Sequence, residues 1–160
     1  MRIYVGTYAK YNAGNLFGEW LDPSDYSDKG DFIDACLEVH EDEDDPELMF
    51  QDFEGIPSCM VGESFVDESL WDYIDYDADD GAKEAYCYLM GEWDTSDFEE
   101  RYYGEFDSFT ELAEEILDST GELESIPENL RYYFDYEAYG RDLKLGGDFS
   151  EHNGYYFRTY

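Results

Sequence analysis

The sequence predicts an α+β fold built from three successive segments: 1–60 with strands around a helix, 61–100 with short helices, and 101–160 with helices closed by a strand. Three observations carry this reading. Period-two alternation opens the chain and a strand signal closes it, while apolar residues at helical spacing fill the middle. Acidic residues are spread along the whole length rather than gathered in a tail. The chain of 160 residues is also 42% hydrophobic and 19% aromatic, so it can bury enough area to offset ordering entropy despite its charge.

Arg2 to Tyr8 alternates, with Ile3 and Val5 on one face, which predicts a first strand. Asn12-Ala13-Gly14-Asn15 has turn chemistry before Leu16, Phe17 and Trp20, so the spacing predicts a hairpin with a second strand over 15–21. Phe32, Ile33, Cys36 and Leu37 fall at helical spacing within Asp31 to Val39. Glu41 to Asp45 reads as a solvated loop before Pro46, and Leu48, Phe50 and Phe53 suit a third strand.

From about residue 62 the pattern turns helical. Leu70, Trp71 and Ile74 fit one short helix. Ala82, Ala85, Tyr86, Leu89, Met90 and Trp93 fit a second, and Thr95 caps a third that contains Phe98 and Tyr102. These three predict a middle bundle of short helices. In the last segment Ser108-Phe109-Thr110-Glu111 is a capping box, backed by the stripe Phe109, Leu112, Ala113, Ile116 and Leu117, with Gly121 suited to the helix end. Ser125-Ile126-Pro127-Glu128 reads as a second box opening a helix with Leu130, Tyr133 and Phe134. Tyr155 to Tyr160 reads as a closing strand, and no internal repeat is visible.

Charge narrows the function classes. Forty-three acids stand against nine bases, a formal net charge of -34 at pH 7. Residues 1–60 carry -12, residues 61–100 carry -13 and residues 101–160 carry -9. Solubility alone needs about 2–8 net charges on a small domain, so the imbalance points to a strongly basic partner. Nucleic acid is excluded as a ligand, because phosphate binding needs clustered Lys and Arg, and the four Lys and five Arg are scattered. An anionic membrane surface repels such a chain. No stretch approaches the roughly 20 apolar residues of a span, and the start lacks the apolar core of a signal peptide. Cys36, Cys59 and Cys87 form no C-x-x-C pair, which fits a reduced cytoplasmic protein without a disulfide framework or zinc site.

Motifs for chemistry are wanting. Asp75-x-Asp77-x-Asp79-Asp80-Gly81 resembles the start of a calcium loop, but the sixth position is Asp80 and the twelfth Tyr86, where Gly and Glu are needed. It reads as a solvated acidic loop, and no metal or cofactor is expected. Carboxylate pairs are so abundant that none singles out a glycosidase site. His40 and His152 lack a nucleophile motif nearby, and there is no P-loop, dinucleotide fingerprint or G-x-S-x-G. The chain reads as a non-enzyme. A halophilic protein with unpartnered acids is the competing explanation of its composition, although the aromatic content argues against it.

Two stretches carry a resemblance. Leu130-Arg131-Tyr132-Tyr133-Phe134-Asp135-Tyr136-Glu137-Ala138-Tyr139-Gly140-Arg141-Asp142-Leu143 is similar to the C-terminal signature of ArdA antirestriction proteins. The opening Ile3-Tyr4-Val5-Gly6-Thr7-Tyr8, with Lys10-Tyr11-Asn12, Gly14 and Gly18-x-Trp20, resembles the N-terminus of the same family. The resemblance implies an elongated fold of three small subdomains: an N-terminal antiparallel sheet with a helix, a middle short-helix bundle, and a C-terminal α/β domain. It also implies a homodimer joined through that last domain, and a DNA mimic, carried by mobile elements, that blocks type I restriction–modification enzymes in the host bacterial cytoplasm. A mimic aimed at another DNA-binding protein is the alternative partner. Candidate mimic acids come from the acid-dense middle segment and the helix that follows it: Asp72, Asp75, Asp77, Asp79, Asp80, Glu84, Glu92, Asp94, Asp97, Glu99, Glu100, Glu114, Glu115 and Asp118. Candidate dimer contacts are Phe109, Leu112, Ala113 and Ile116, in the region where the family places its antirestriction motif.

Overall fold

Ile3 and Val5 are fully buried on the central strand of the first sheet in the computed structural model, which describes residues 1–160. That strand, β1 (Arg2–Thr7), pairs antiparallel on one edge with β2 (Glu19–Leu21) and on the other with β3 (Leu48–Glu54). Ile3 stands opposite Leu21 and Phe53, and a bulge between Tyr4 and Val5 shifts the pairing with β3. The alternation read from the sequence therefore sets the register of the sheet.

The turn expected at Asn12–Asn15 is present at Ala13 and Gly14, with Gly14 at φ 77°, but a helix precedes it. Residues Tyr8–Asn12 form a short helix, α1, and the Thr7 hydroxyl accepts from the Lys10 amide at its start. Thr7 ends the strand and caps the helix at once, which a turn-only reading passes over. The second strand shrinks to three residues, and Leu16 and Phe17 lie off the sheet at 63% and 48% exposure. The strands still pair, but through a helix and a loop.

Helix α2 (Lys29–Val39) is capped by Asp28, which accepts from the Asp31 amide at 2.9 Å. It buries Phe32 and Cys36. The Phe32 ring lies 6.5 Å from Phe50 of β3 and 5.8 Å from Trp71. The Trp71 indole N–H donates to the carbonyls of Pro23 and Tyr26, so a large buried ring keeps its one donor satisfied. A two-residue-per-strand hairpin, β4 (Val61–Gly62) and β5 (Phe65–Val66), precedes α3 (Ser69–Asp75). Neither short strand was expected from the sequence. Trp93 closes this core edge-on to Tyr73 at 5.2 Å.

Backbone packing divides the chain into two compact units. The first comprises Met1–Ala78 and Met90–Thr95, and the second Asp79–Leu89 and Ser96–Tyr160. Of the three helices expected between 62 and 102, α3 lies in the first unit. Nearly all of α4 (Asp80–Met90) and α5 (Thr95–Arg101) lies in the second. Trp93 falls beyond α4, and Tyr102 enters a strand rather than prolonging α5.

The second unit centres on the sheet β6-β8-β7, from β6 (Tyr102–Glu105), β7 (Phe149–His152) and β8 (Tyr155–Arg158), all antiparallel. Phe157 is fully buried, with Tyr86 of α4, Phe98 of α5 and Tyr102 around it at 5.9, 6.1 and 5.5 Å. Helix α6 (Phe109–Thr120) follows its sequence signals: the Ser108 hydroxyl accepts from the Glu111 amide at 3.2 Å, and Gly121 ends it at φ 67°. The Glu111 carboxylate reaches back to the Asp107 amide at 2.6 Å.

The second expected box fails. The Ser125 hydroxyl donates to the Glu122 carbonyl instead of capping, and α7 (Glu128–Arg131) runs only four residues from Pro127. Tyr133 and Phe134 lie outside it, the latter packing edge-on to Tyr136 at 5.1 Å. The longer helix is α8 (Tyr136–Gly146), whose first turn is capped by Asp135 accepting from Ala138 at 2.9 Å. It packs on α6 at Gly140, where an added Cβ would stand 2.5 Å from the Phe109 carbonyl oxygen.

Candidate functional site

A carboxylate serves a partner only if the fold has not already used it, so the acids divide by what they touch. Several are committed to the backbone. Asp22 accepts from the Ser24 amide, Asp67 from the Ser69 amide, and Glu151 from the Gly154 amide. Asp79 accepts from the Ala82 amide at 3.0 Å and from the Tyr155 hydroxyl at 2.7 Å. That Tyr155 bond holds the Asp79 carboxyl below the usual range and pushes the Tyr155 phenol up to about 12. Within the acidic run 75–81, Asp79 is thus the cap of α4.

Most of the nine cations are spent internally. Arg2 pairs with Glu54 at 2.8 Å, Lys83 with Asp80 at 3.2 Å, and Arg101 with Asp97 at 2.7 Å. Asp97 also accepts from the Tyr86 hydroxyl at 2.7 Å. The Arg101 bond lowers the Asp97 carboxyl, against a smaller opposing push from desolvation. Arg131 donates to the carbonyls of Glu124 and Ile126, and Arg158 lies over the Tyr103 ring at 5.0 Å.

Lys10 makes the densest of these arrangements. Its ammonium lies 2.9 Å from His40 Nδ1, 2.6 Å from Asp42 and 3.3 Å from Glu43. His40 is fully buried, and its Nε2 faces the Val5 carbonyl at 3.1 Å. An ammonium at Nδ1 and a carbonyl at Nε2 together call for the neutral ring with its proton on Nε2. Those three donors lie within 4.8 Å of one another, but the place a divalent ion would take is filled by Lys10. The Glu41–Asp45 stretch, expected to be a solvated loop, is solvated except at Glu43, which is half-buried and also accepts from the Thr7 hydroxyl at 2.6 Å.

The candidate mimic acids sort accordingly. Asp79, Asp80 and Asp97 hold the fold's own groups as described. Asp72, Asp75, Asp77 and Glu92 are exposed in the first unit, and Glu84, Glu100, Glu114, Glu115 and Asp118 in the second. Asp94 and Glu99 are exposed too but also interact within the protein. On α6 the spacing is informative. Glu111, Glu114, Glu115 and Asp118 recur at helical period on one exposed face, opposite the buried Leu112, Ala113 and Leu117. Four carboxylates over eight residues span roughly 10 Å of helix axis, about half the charge density of duplex DNA, which carries one per ~1.7 Å.

Among the candidate dimer contacts, Leu112 and Ala113 are fully buried in their own unit. Phe109 and Ile116 are half-buried, and the Phe109 ring packs edge-on to Tyr156 at 4.9 Å. The structure also exposes apolar side chains that the sequence reading did not single out for contact. Tyr132 and Tyr133 beside α7 are 90% and 81% exposed, and Phe17 projects beside Lys10.

Comparison with known proteins adds one decisive finding. The family model described as "Antirestriction protein (ArdA)" matches residues 3–158, nearly the whole chain, and the protein belongs to that family. No curated protein matches the sequence.

Proposed function

We propose that this ArdA-family chain acts as an inhibitor without chemistry of its own, in which carboxylates fixed on a folded surface stand in for DNA phosphates in the basic groove of a type I restriction–modification enzyme. The observation that carries this reading is the division of charge: most of the nine cations are bound internally, four of them in ion pairs, while acids such as Asp72, Glu84, Glu100, Glu114, Glu115 and Asp118 remain exposed. At the charge density of duplex DNA, 34 net charges correspond to roughly 58 Å of helix. That length suits a groove rather than a pocket. Holding the carboxylates on helices such as α6 means that binding does not have to order them again.

Two chains joined through residues of the second unit would double the charged track. Ile116 and Phe109, half-buried on α6, are the residues proposed for that contact. Exposed acids from both units are proposed to face the enzyme.

A cleavage assay with a purified type I enzyme tests the inhibition. Raising the DNA concentration is expected to relieve it, and raising salt is expected to weaken it, since ionic contacts are screened beyond about 8 Å at physiological ionic strength. Inhibition that persists unchanged at saturating DNA would rule out occupation of the groove.

A further inference from the structure

Beside Lys10 is a cavity of about 510 Å³, lined by Asn15 and Phe17 from the loop after α1 and by Glu38, Glu41 and Asp42 around the end of α2. Its size is that of a ligand pocket. Three carboxylates line it against one ammonium, so its wall carries a net charge of -2. Lys10 already shows what the wall accepts: its Nζ lies 5.0 Å from the centroid of the Phe17 ring and 2.6 Å from Asp42. Its side chain is only 10% exposed, so it belongs to the wall of the cavity.

The aromatic wall is held in place before any partner arrives. The Phe17 amide donates to Asn15 Oδ1 at 2.9 Å, which fixes the turn, and the ring meets His40 edge-on at 5.9 Å. Even so, Phe17 remains 48% exposed. Lys10 and His40 meet the ring without covering it, and the half that stays exposed, beside Glu38 and Glu41, is a receptor for a planar cation. Guanidinium fits better than ammonium, because it stacks on an aromatic face and donates in a fork to carboxylates.

We infer that this cavity takes one arginine side chain from the DNA-binding groove of the partner enzyme, in contacts among Phe17, Glu38 and Glu41. The inference rests on the mimic reading and adds to it a site-specific anchor, distinct from the diffuse field of the surface acids. Such an anchor contributes affinity that high salt screens poorly, because part of it is aromatic contact.

The test measures equilibrium binding to a purified type I enzyme, with circular dichroism confirming that each variant is folded. Phe17→Leu changes no charge, and it is expected to weaken binding about tenfold. Phe17→Tyr keeps the ring and is expected to bind as the wild type does. Glu38→Gln with Glu41→Gln is expected to weaken binding at least about threefold more than Asp44→Asn with Asp45→Asn, which removes equal charge a few residues further along the chain. If Phe17→Leu binds like the wild type, or if the two double variants lose equally, the anchor is overturned while the mimic stands. Wild-type protein that fails to bind the enzyme at all overturns both.

Discussion

Asp97 lies 2.7 Å from both Arg101 Nε and the Tyr86 hydroxyl, so its carboxylate is tied to the core of its own unit. Its pKa is lowered in the fold. The stability it contributes is therefore present above the unfolded value of about 3.9 and is lost as pH falls through the lower folded value. Asp97→Asn is expected to lower the melting temperature at pH 7, with the difference from wild type shrinking below about pH 4. Tyr155 gives the opposite case at alkaline pH. Its phenol is raised to about 12 by the bond to Asp79, so its contribution is complete below the unfolded value of about 10 and is lost between there and 12. Tyrosinate absorbance during alkaline titration is expected to show a component that titrates near pH 12 and that Tyr155→Phe removes. A titration curve unchanged by that substitution would contradict the assignment. These two acids were legible by count, but their roles were not, because a cap or a phenol partner depends on backbone placement that spacing alone does not fix.

Helices α6 and α8 show at the next scale how a local signal and a tertiary one differ. Every determinant of α6 lies within its own residues: Ser108 and Glu111 at the start, the apolar stripe, and Gly121 at the end. The sequence reading located it for that reason. Ser125-Ile126-Pro127-Glu128 has the same letters, yet Pro127 sits before a four-residue helix and the hydroxyl turns to Glu122. The strands β4 and β5 are two residues each and leave no periodic trace. The cavity beside Phe17 gathers residues from 10 to 42, so no spacing rule could have assembled it. Gly140→Ala tests the α6–α8 contact, since its Cβ would meet backbone rather than a movable side chain. A loss of about 1–3 kcal/mol is expected in denaturant unfolding. Leu112→Asp places a charge in a fully buried position and is expected to cost roughly 4 kcal/mol or more, leaving an unfolded second unit. Ile116→Asp, at a half-buried position, is expected to leave a folded monomer if α6 carries the dimer contact. Sedimentation decides, and a folded dimeric Ile116→Asp protein would remove this helix from the contact.

Across the whole molecule, a net charge of -34 opposes folding through self-repulsion, and the aromatic cores around Phe32 and Phe157 oppose that repulsion. Thermal melts are expected to show a folded protein in about 0.15 M salt, gaining stability as salt screens the acids. A chain that folds only at molar salt would instead fit a halophile with unpartnered charge. The same acids govern association, steering the protein to a basic groove quickly and in a salt-sensitive way. The most direct measurement of the central claim is a binding experiment with purified type I enzyme, labelled DNA and this protein together. Occupation of the groove predicts mutually exclusive binding, with DNA released as the protein is added and the apparent affinity falling linearly in log salt. A stable ternary complex of enzyme, DNA and protein would contradict it.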